Sequence, residues 1–513
     1  MTVIESAPVS DKLDRRVLMI AGVVVLGAIM SILDTTVVSV ALPTFVHVFD
    51  SQLSTVAWTM VGYTLALATV IPLTGWAADR FGTKRLYVMA LVLFILGSVA
   101  CAFAWSITSL ITFRVLQGLG GGMLMPLGMT IMTHAAGPKR IGRVMAVLGV
   151  PMLLGPIAGP IVGGWLIGIA SWHWIFIINV PIGIVAIIAA VRVLEKDDPK
   201  PSEAFDFVGM LLLSPGLALF LYGVSSIPGA GTVASAKVLI PAIVGVMLMA
   251  AFVVHAMRVE HPLIDLKLFR HRQLSVAVIT MSLFAIAFFG AMLLFPTYFI
   301  QVRMESTLSA GLLLAPQGIG AMISMPIAGR LTDRRGPGWI VMTGIALMAA
   351  GMSVFTQISA TTPYPLIMSA LFVMGLGMGA TMMPVMSAAL ATLTHHEVAR
   401  GSTLMNIVQQ AAGSIGTAVM SVILTNQYLS HPAVVQFQMA AQQGPAKIAK
   451  LDKGILAQVP GQMANSFSVT YLVAAILIVM CLIPAFFLSR KGATQETDIS
   501  GQDTETSAPN FDQ

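Results

Sequence analysis

Asp34 is the residue in this sequence best placed for proton chemistry. Of the 22 acidic residues, it alone falls well inside an apolar run; the others sit in loops, tails or at run ends. A carboxylate in hydrocarbon is costly, so it must face a cavity or a partner, and it holds a proton part of the time. Burial disfavours its charged form and a nearby cation favours it, so such a group can take up and release protons. The structural alternative is a carboxylate that bonds the neighbouring Thr35 or Thr36. Arg114 is the one basic residue left inside an apolar run. It stays charged, so it acts as a counter-ion and not as a proton donor. The runs 17–42 and 108–132 cross in opposite directions. At 1.5 Å per residue, Asp34 and Arg114 lie about 12 and about 9 Å from the same edge. They are thus expected to pair, directly or through water; the alternative for Arg114 is bonding to backbone carbonyls of adjacent helices.

Membrane spans must position these residues. The chain of 513 residues is 57% hydrophobic and 10% charged, with a mean hydropathy of +0.89. Soluble domains carry about 25% charged residues, so an ordinary soluble enzyme and a disordered chain are both excluded. At roughly 20 apolar residues per membrane helix, fourteen runs emerge: 17–42, 53–76, 86–104, 108–132, 143–168, 173–193, 207–226, 237–257, 274–299, 307–331, 339–358, 363–390, 402–426 and 467–489. With the N-terminus inside and the spans alternating, 22 of the 28 basic residues fall in inside segments. Those outside are Lys237, Arg303, Lys447, Lys450 and Lys453. This asymmetry predicts an all-α protein of the cell membrane with both termini cytoplasmic. It also assigns the net charge of +6 to inner loops and not to a nucleic-acid partner.

The chain repeats itself. Gly75-Trp-Ala-Ala-Asp79-Arg80-Phe-Gly82-Thr-Lys84-Arg85 follows the second span, and Gly329-Arg-Leu-Thr-Asp333-Arg334-Arg335-Gly336 follows the tenth. Two parallel six-span units are implied, 17–193 and 274–489, with spans seven and eight and their linkers (194–273) inserted between them. Residues 1–16 and 490–513 form polar tails, the second expected to be disordered. Each motif is expected at an inner membrane face, where an aspartate can bond the N-terminal amides of a neighbouring helix and Lys84 and Arg85 anchor at lipid headgroups. This reads as a latch between helices; the alternative is topology alone. In span five, Gly155, Gly159 and Gly163 lie four apart and form one smooth face for another helix. Gly164 follows them, and Pro151, Pro156 and Pro160 interrupt backbone hydrogen bonding.

In order along the chain, several segments resemble the fourteen-span drug:proton antiporter branch of the major facilitator superfamily, the EmrB/QacA type. They are Leu33-Asp34-Thr-Thr-Val-Val-Ser-Val-Ala-Leu-Pro43, the Gly75–Arg85 loop, Arg114-Val-Leu-Gln117-Gly118-Leu-Gly120, and Gly155-Pro156-Ile-Ala-Gly159-Pro160 with Gly163-Gly164. Trp172-His-Trp174-Ile-Phe-Ile-Ile-Asn179-Val-Pro181 and Pro262-Leu-Ile-Asp265-Leu-Lys-Leu-Phe269 complete the series. Pro160 and His173 depart from the residues common at those positions. The resemblance implies a major facilitator fold and a proton-transfer role for Arg114. It makes the Gly155–Gly164 segment an antiporter signature favouring export, and it implies an extracytoplasmic adaptor as partner.

The function expected is a secondary exporter of hydrophobic or amphipathic, cationic compounds in exchange for protons, with membrane lipids as surroundings. Rival readings are an exporter of a native lipid, siderophore or peptide, a proton symporter, and a non-transporting receptor or scaffold. No Walker motif is present, and no enzyme activity or cofactor is expected. Cys101 and Cys481 make no disulfide framework, and the nine histidines form no metal-ligand cluster. Gln117, Asn406, Gln409 and Gln410 are candidates for a central cavity, or for helix–helix hydrogen bonds. The outer segment 427–466 is the longest, and a helix is expected on each side of Pro445 within 434–457. It is a lid, an adaptor dock, or a hairpin on the membrane surface.

Overall fold

The computed structural model describes residues 14–51, 53–137, 140–196, 205–227, 234–442, 447 and 451–489. Among them helices are the only regular elements, as a bilayer demands when no water can satisfy the backbone. The long helices are α1 (Arg15–Val48), α2 (Trp58–Phe81), α3 (Thr83–Ala102), α4 (Ile107–Ala136), α5 (Ile141–Ile169), α6 (Trp174–Val193) and α7 (Phe207–Ser225). They continue with α8 (Ala236–Ala256), α9 (Arg272–Gln301), α10 (Ser309–Arg335), α11 (Pro337–Phe355), α12 (Tyr364–Ala391), α13 (His395–Leu429) and α14 (Lys453–Ala485). Thirteen of them are long and apolar enough to cross a membrane. The fourteenth, α5, has 29 residues and occupies the fifth apolar run.

Local chemistry sets several ends. The Ser106 hydroxyl accepts from the Ser109 amide at the start of α4, and Asp206 accepts from the Gly209 amide to start α7. At the start of α13 the Thr394 amide donates to the Glu397 carboxylate at 2.9 Å. These groups satisfy donors that a helix start leaves unpaired. Gly82 and Gly336, the last glycines of the two motifs, have φ of +92° and +78°. Each ends one helix and begins the next, in a conformation a Cβ would strain.

The packing repeats eight helices apart. α1 lies on α5 and α4 lies against both α2 and α3; likewise α9 lies on α13 and α12 against α10 and α11. The two sets meet at α2–α13 and at α5–α10. The pair α7–α8 rests on α2 and α13. Between α13 and α14 the fold differs from expectation in where the last span begins. The first of the two expected helices is present as Pro432–Gln442 and packs on α14, and beyond Pro445 the one described residue before Leu451, Lys447, is helical. Residues 453–457 instead form the first turns of α14, because Asp452 caps that helix through the Gly454 amide at 2.7 Å. The separate outer segment is therefore shorter than 427–466. Gly444, Pro445, Ile448 and Lys450, and both expected tails apart from Asp14 to Arg16, lie outside the described residues.

Candidate functional site

Asp34 and Arg114 meet. Their side chains are completely buried and form an ion pair between Oδ2 and Nη1. The carboxylate's other oxygen accepts from Gln117 Nε2 at 2.9 Å and Asn179 Nδ2 at 3.0 Å. Arg114 also donates to Gln117 Oε1 at 2.8 Å and, through Nε, to the Thr59 carbonyl at 3.1 Å. Its guanidinium lies 4.2 Å over the Tyr63 ring, a cation–π contact. Asn179 in turn donates to Ser98 Oγ, 2.9 Å away. Five helices, α1, α2, α3, α4 and α6, thus join through one carboxylate. Among the described residues, the side chains that bond Asp34 do so as donors. A protonated Asp34 needs an acceptor for its O–H, so at least one amide must turn before a proton can be held. Arg114 Nη2 is buried without a hydrogen-bond partner among the described residues.

The alternative partners suggested by sequence are otherwise engaged. Thr35 donates to the Ser31 carbonyl at 3.1 Å. The Thr36 hydroxyl lies 3.0 Å from the Ile32 carbonyl and 3.1 Å from the Gly155 carbonyl on α5. That contact belongs to the glycine face. A Cβ at Gly155 would come within 2.0 Å of the Ile32 side chain, one at Gly159 within 2.1 Å of Thr36 Oγ1, and one at Gly163 within 3.0 Å of Val37. The face therefore presses α5 directly onto the turn of α1 that carries Asp34. Gly164 points away, with nothing within 4 Å. The side chains of Pro151, Pro156 and Pro160 lie outside the described residues.

At the end of the bundle that carries the two motifs, each aspartate crosses from one repeat to the other. Asp333 on α10 accepts from the Gly142 amide at the start of α5, at 2.9 Å, and lies 3.3 Å from Arg143 Nε. Asp79 on α2 lies 3.7 Å from Arg400 Nε on α13. Gly75 and Gly329 let the backbones close up there: a Cβ at Gly329 would meet the Gly142 carbonyl at 2.6 Å, and one at Gly75 would meet Thr403 Oγ1 at 3.3 Å. The two contacts are equivalent in placement and unequal in burial. Asp333 and Arg143 side chains are 6% and 11% exposed, against 31% and 15% for Asp79 and Arg400. The Lys84 ammonium donates to the Val191 and Leu194 carbonyls, each at 2.7 Å, at the end of α6. A cation there complements the helix dipole. Arg80, Arg85 and Arg334 are exposed.

Of the other cavity candidates, Gln117 is part of the Asp34 network. Asn406 donates to the Ser402 carbonyl at 2.8 Å, beside a Thr130–Ser402 hydroxyl contact of 3.1 Å between α4 and α13. Gln409 is buried on α13. Sequence reasoning assigned no role to Asn179, Tyr63, Thr59 or Ser98. Asn179 had a usable signal, a lone amide inside an apolar run; the other three are residue types common in any span.

A pair of helical repeats locked at one end, with a buried ion pair inside the first, is the build of a secondary transporter. The Major Facilitator Superfamily profile matches residues 24–417, and the chain belongs to that superfamily, in its EmrB-type branch. It is 50% identical over 498 residues to the multidrug resistance protein B homolog of Mycobacterium tuberculosis H37Rv, covering 94% of this chain and 92% of that one. It is 30% identical over 424 residues to the multidrug export protein EmrB of Escherichia coli K12, covering 80% of each. Among solved structures it resembles the human organic anion transporter MFSD10 (TETRAN), with a TM-score of 0.60 at 15% identity over 91% of this chain and all of that one. It likewise resembles the proton:xylose symporter XylE, with a TM-score of 0.55 at 14% identity over 91% and 96%. These last two likenesses bear on the fold alone.

Proposed function

We propose that this protein is a proton-coupled exporter of hydrophobic or amphipathic, cationic compounds in the cytoplasmic membrane, with the motif end facing the cytoplasm. Residues 17–193 and 274–489 act as the two rocking units. The names of the relatives support multidrug export: one is a multidrug resistance protein homolog and another a multidrug export protein. The observation that carries proton coupling is the sealed Asp34–Arg114–Gln117–Asn179 network. A proton reaching Asp34 removes the charge that Arg114 and two amides hold. Hydrogen bonds to a charged group contribute about 1.5–3 kcal/mol each, so protonation removes enough of the network's stabilisation to let α1, α4 and α6 shift against one another. The direct packing of α1 on the α5 glycine face would carry that change to Gly142 and Arg143, where α5 meets Asp333. The unpartnered Arg114 Nη2 favours the same reading, since a buried donor is costly until something accepts from it.

The cycle then runs as follows. With Asp34 charged and the motif end latched, the protein opens outward and releases cargo. Protonation from outside loosens the network, the latches part, and the site near the midplane opens inward for proton release and cargo binding. An accumulation assay in intact cells tests this. Cells producing the protein should hold less of a lipophilic cation than controls, and an uncoupler should erase the difference. Export that persists after the gradient collapses excludes antiport; no effect on accumulation under any condition favours a receptor or scaffold.

A further inference from the structure

The two seams between the repeats are built alike and clothed differently. At α2–α13, Gly75 and Asp79 meet Arg400 and Thr403; at α5–α10, Gly329 and Asp333 meet Gly142 and Arg143. Among the described residues, helix α7 packs along the first seam. Phe205, just before it, packs on Trp76 with ring centroids 4.3 Å apart, near the motif end. Tyr222 stacks on Trp58 at 5.5 Å, near the opposite end. On its other side, Val224, Ile227 and Val238 of the α7–α8 pair and its linker bury against Ala418 of α13. The pair thus touches both walls of the α2–α13 seam. Among the described residues, α2 exposes large apolar side chains only at its two ends, Trp58 and Phe81.

Among the described residues, the second seam has no such cover. Helix α10, the repeat counterpart of α2, exposes Ile319, Ile323 and Ile327 through its middle, and α5 exposes Ile161 and Trp165, the last at 60%. No charged residue occurs from Ser309 through Gly329 or from Val144 through Ile169. The exposed surfaces of the two helices that form this seam are therefore apolar and offer nothing to hold a hydrated ion.

We infer that the inserted pair α7–α8 seals the α2–α13 seam and makes α5–α10 the single lateral port through which compounds dissolved in the bilayer reach the central site. This rests on the exporter reading and adds a route and a cargo class to it: amphiphiles that partition into lipid first. It also assigns the insertion a task, to bias a two-seamed molecule toward one side. In the conformation described α10 rests against α5, so passage requires the rocking that separates them.

The inference is tested with single cysteines, introduced as Ile323→Cys on α10 and, as a lipid-facing control in mid-span, Met247→Cys on α8, which is 65% exposed. The native Cys101 and Cys481 are buried, so background labelling by lipid-soluble pyrene maleimide should be low. In proteoliposomes, rhodamine 6G should slow labelling at Ile323→Cys several-fold and leave Met247→Cys unaffected. Completed labelling should abolish dye export by the first variant and not by the second. Equal protection and equal inhibition at both positions, or none at Ile323→Cys, overturns the inference; Ile319→Cys serves if the first variant folds poorly. Selective protection without export in the unlabelled protein would count against the exporter reading and leave the port standing.

Discussion

Replacing Asp34 with asparagine keeps the outline of the side chain and removes its charge. Arg114 is then fully buried without a counter-ion. Removing one partner of a buried pair costs about 3–5 kcal/mol. Two contacts soften the loss: Arg114 keeps the Thr59 carbonyl and Gln117 Oε1, and an asparagine carbonyl still accepts. The low end, about 3 kcal/mol, is therefore expected, or roughly a hundredfold in the folded-to-unfolded ratio at ~1.4 kcal/mol per decade. Removing both charges, by Asp34→Asn with Arg114→Gln, should recover much of that loss, because neither member is then an orphan. Proton coupling should not recover. The assay is the apparent melting temperature of the wild type, both single variants and the double variant in detergent, beside substrate-triggered proton release read with a pH dye. A double variant no more stable than Asp34→Asn alone, or wild-type proton release from any protein lacking Asp34, would refute the reasoning.

The remaining predictions concern the helix contacts and latches. Gly159→Ala places a methyl 2.1 Å from Thr36 Oγ1, an overpacking that should destabilise by about 1–3 kcal/mol; Gly164→Ala, in open space, should leave the melting temperature unchanged. Asp333→Ala should open the motif end more than Asp79→Ala, since the Asp333–Arg143 pair is the more buried of the two; distances between spin labels on α5 and α10, compared with α2 and α13, check the order. Arg114→Ala should abolish transport and Arg114→Lys impair it less, because lysine restores charge to Asp34 without the Nε bond to Thr59; transport by the alanine variant at the normal rate would show the charge to be dispensable.

The depth of Asp34 and Arg114 could be reckoned from sequence because helical rise is constant and the runs are bounded by loops. Their other partners were not legible. Asn179 lies far along the chain, and nothing in its own span fixes its rotation toward Asp34; packing of α6 on α1 and α3 does so. The latch aspartates were legible as a repeat, and their partners were not. Arg143 and Arg400 read as two more inner-face cations until the crossed packing of α5–α10 and α2–α13 brings them to Asp333 and Asp79. Lys84 shows the same limit, since a lysine at a helix start gives no sign that the end of another helix lies beside it. In the outer segment, Ala- and Gln-rich residues correctly suggested helix. Composition does not reveal whether such turns stand alone or extend the following span, and the Asp452 cap decides that for residues 453–457.

The most direct test of proton coupling uses purified protein in liposomes with a pH difference as the sole energy source, the membrane potential clamped and no nucleotide present. With the lumen acidic, a lipophilic cation should accumulate uphill through the wild type, beyond its passive trapping in protein-free vesicles. That excess should vanish with Asp34→Asn and on collapsing the pH difference with an ionophore. Uphill accumulation by the wild type with no pH difference, or by Asp34→Asn at the wild-type rate, would contradict the account.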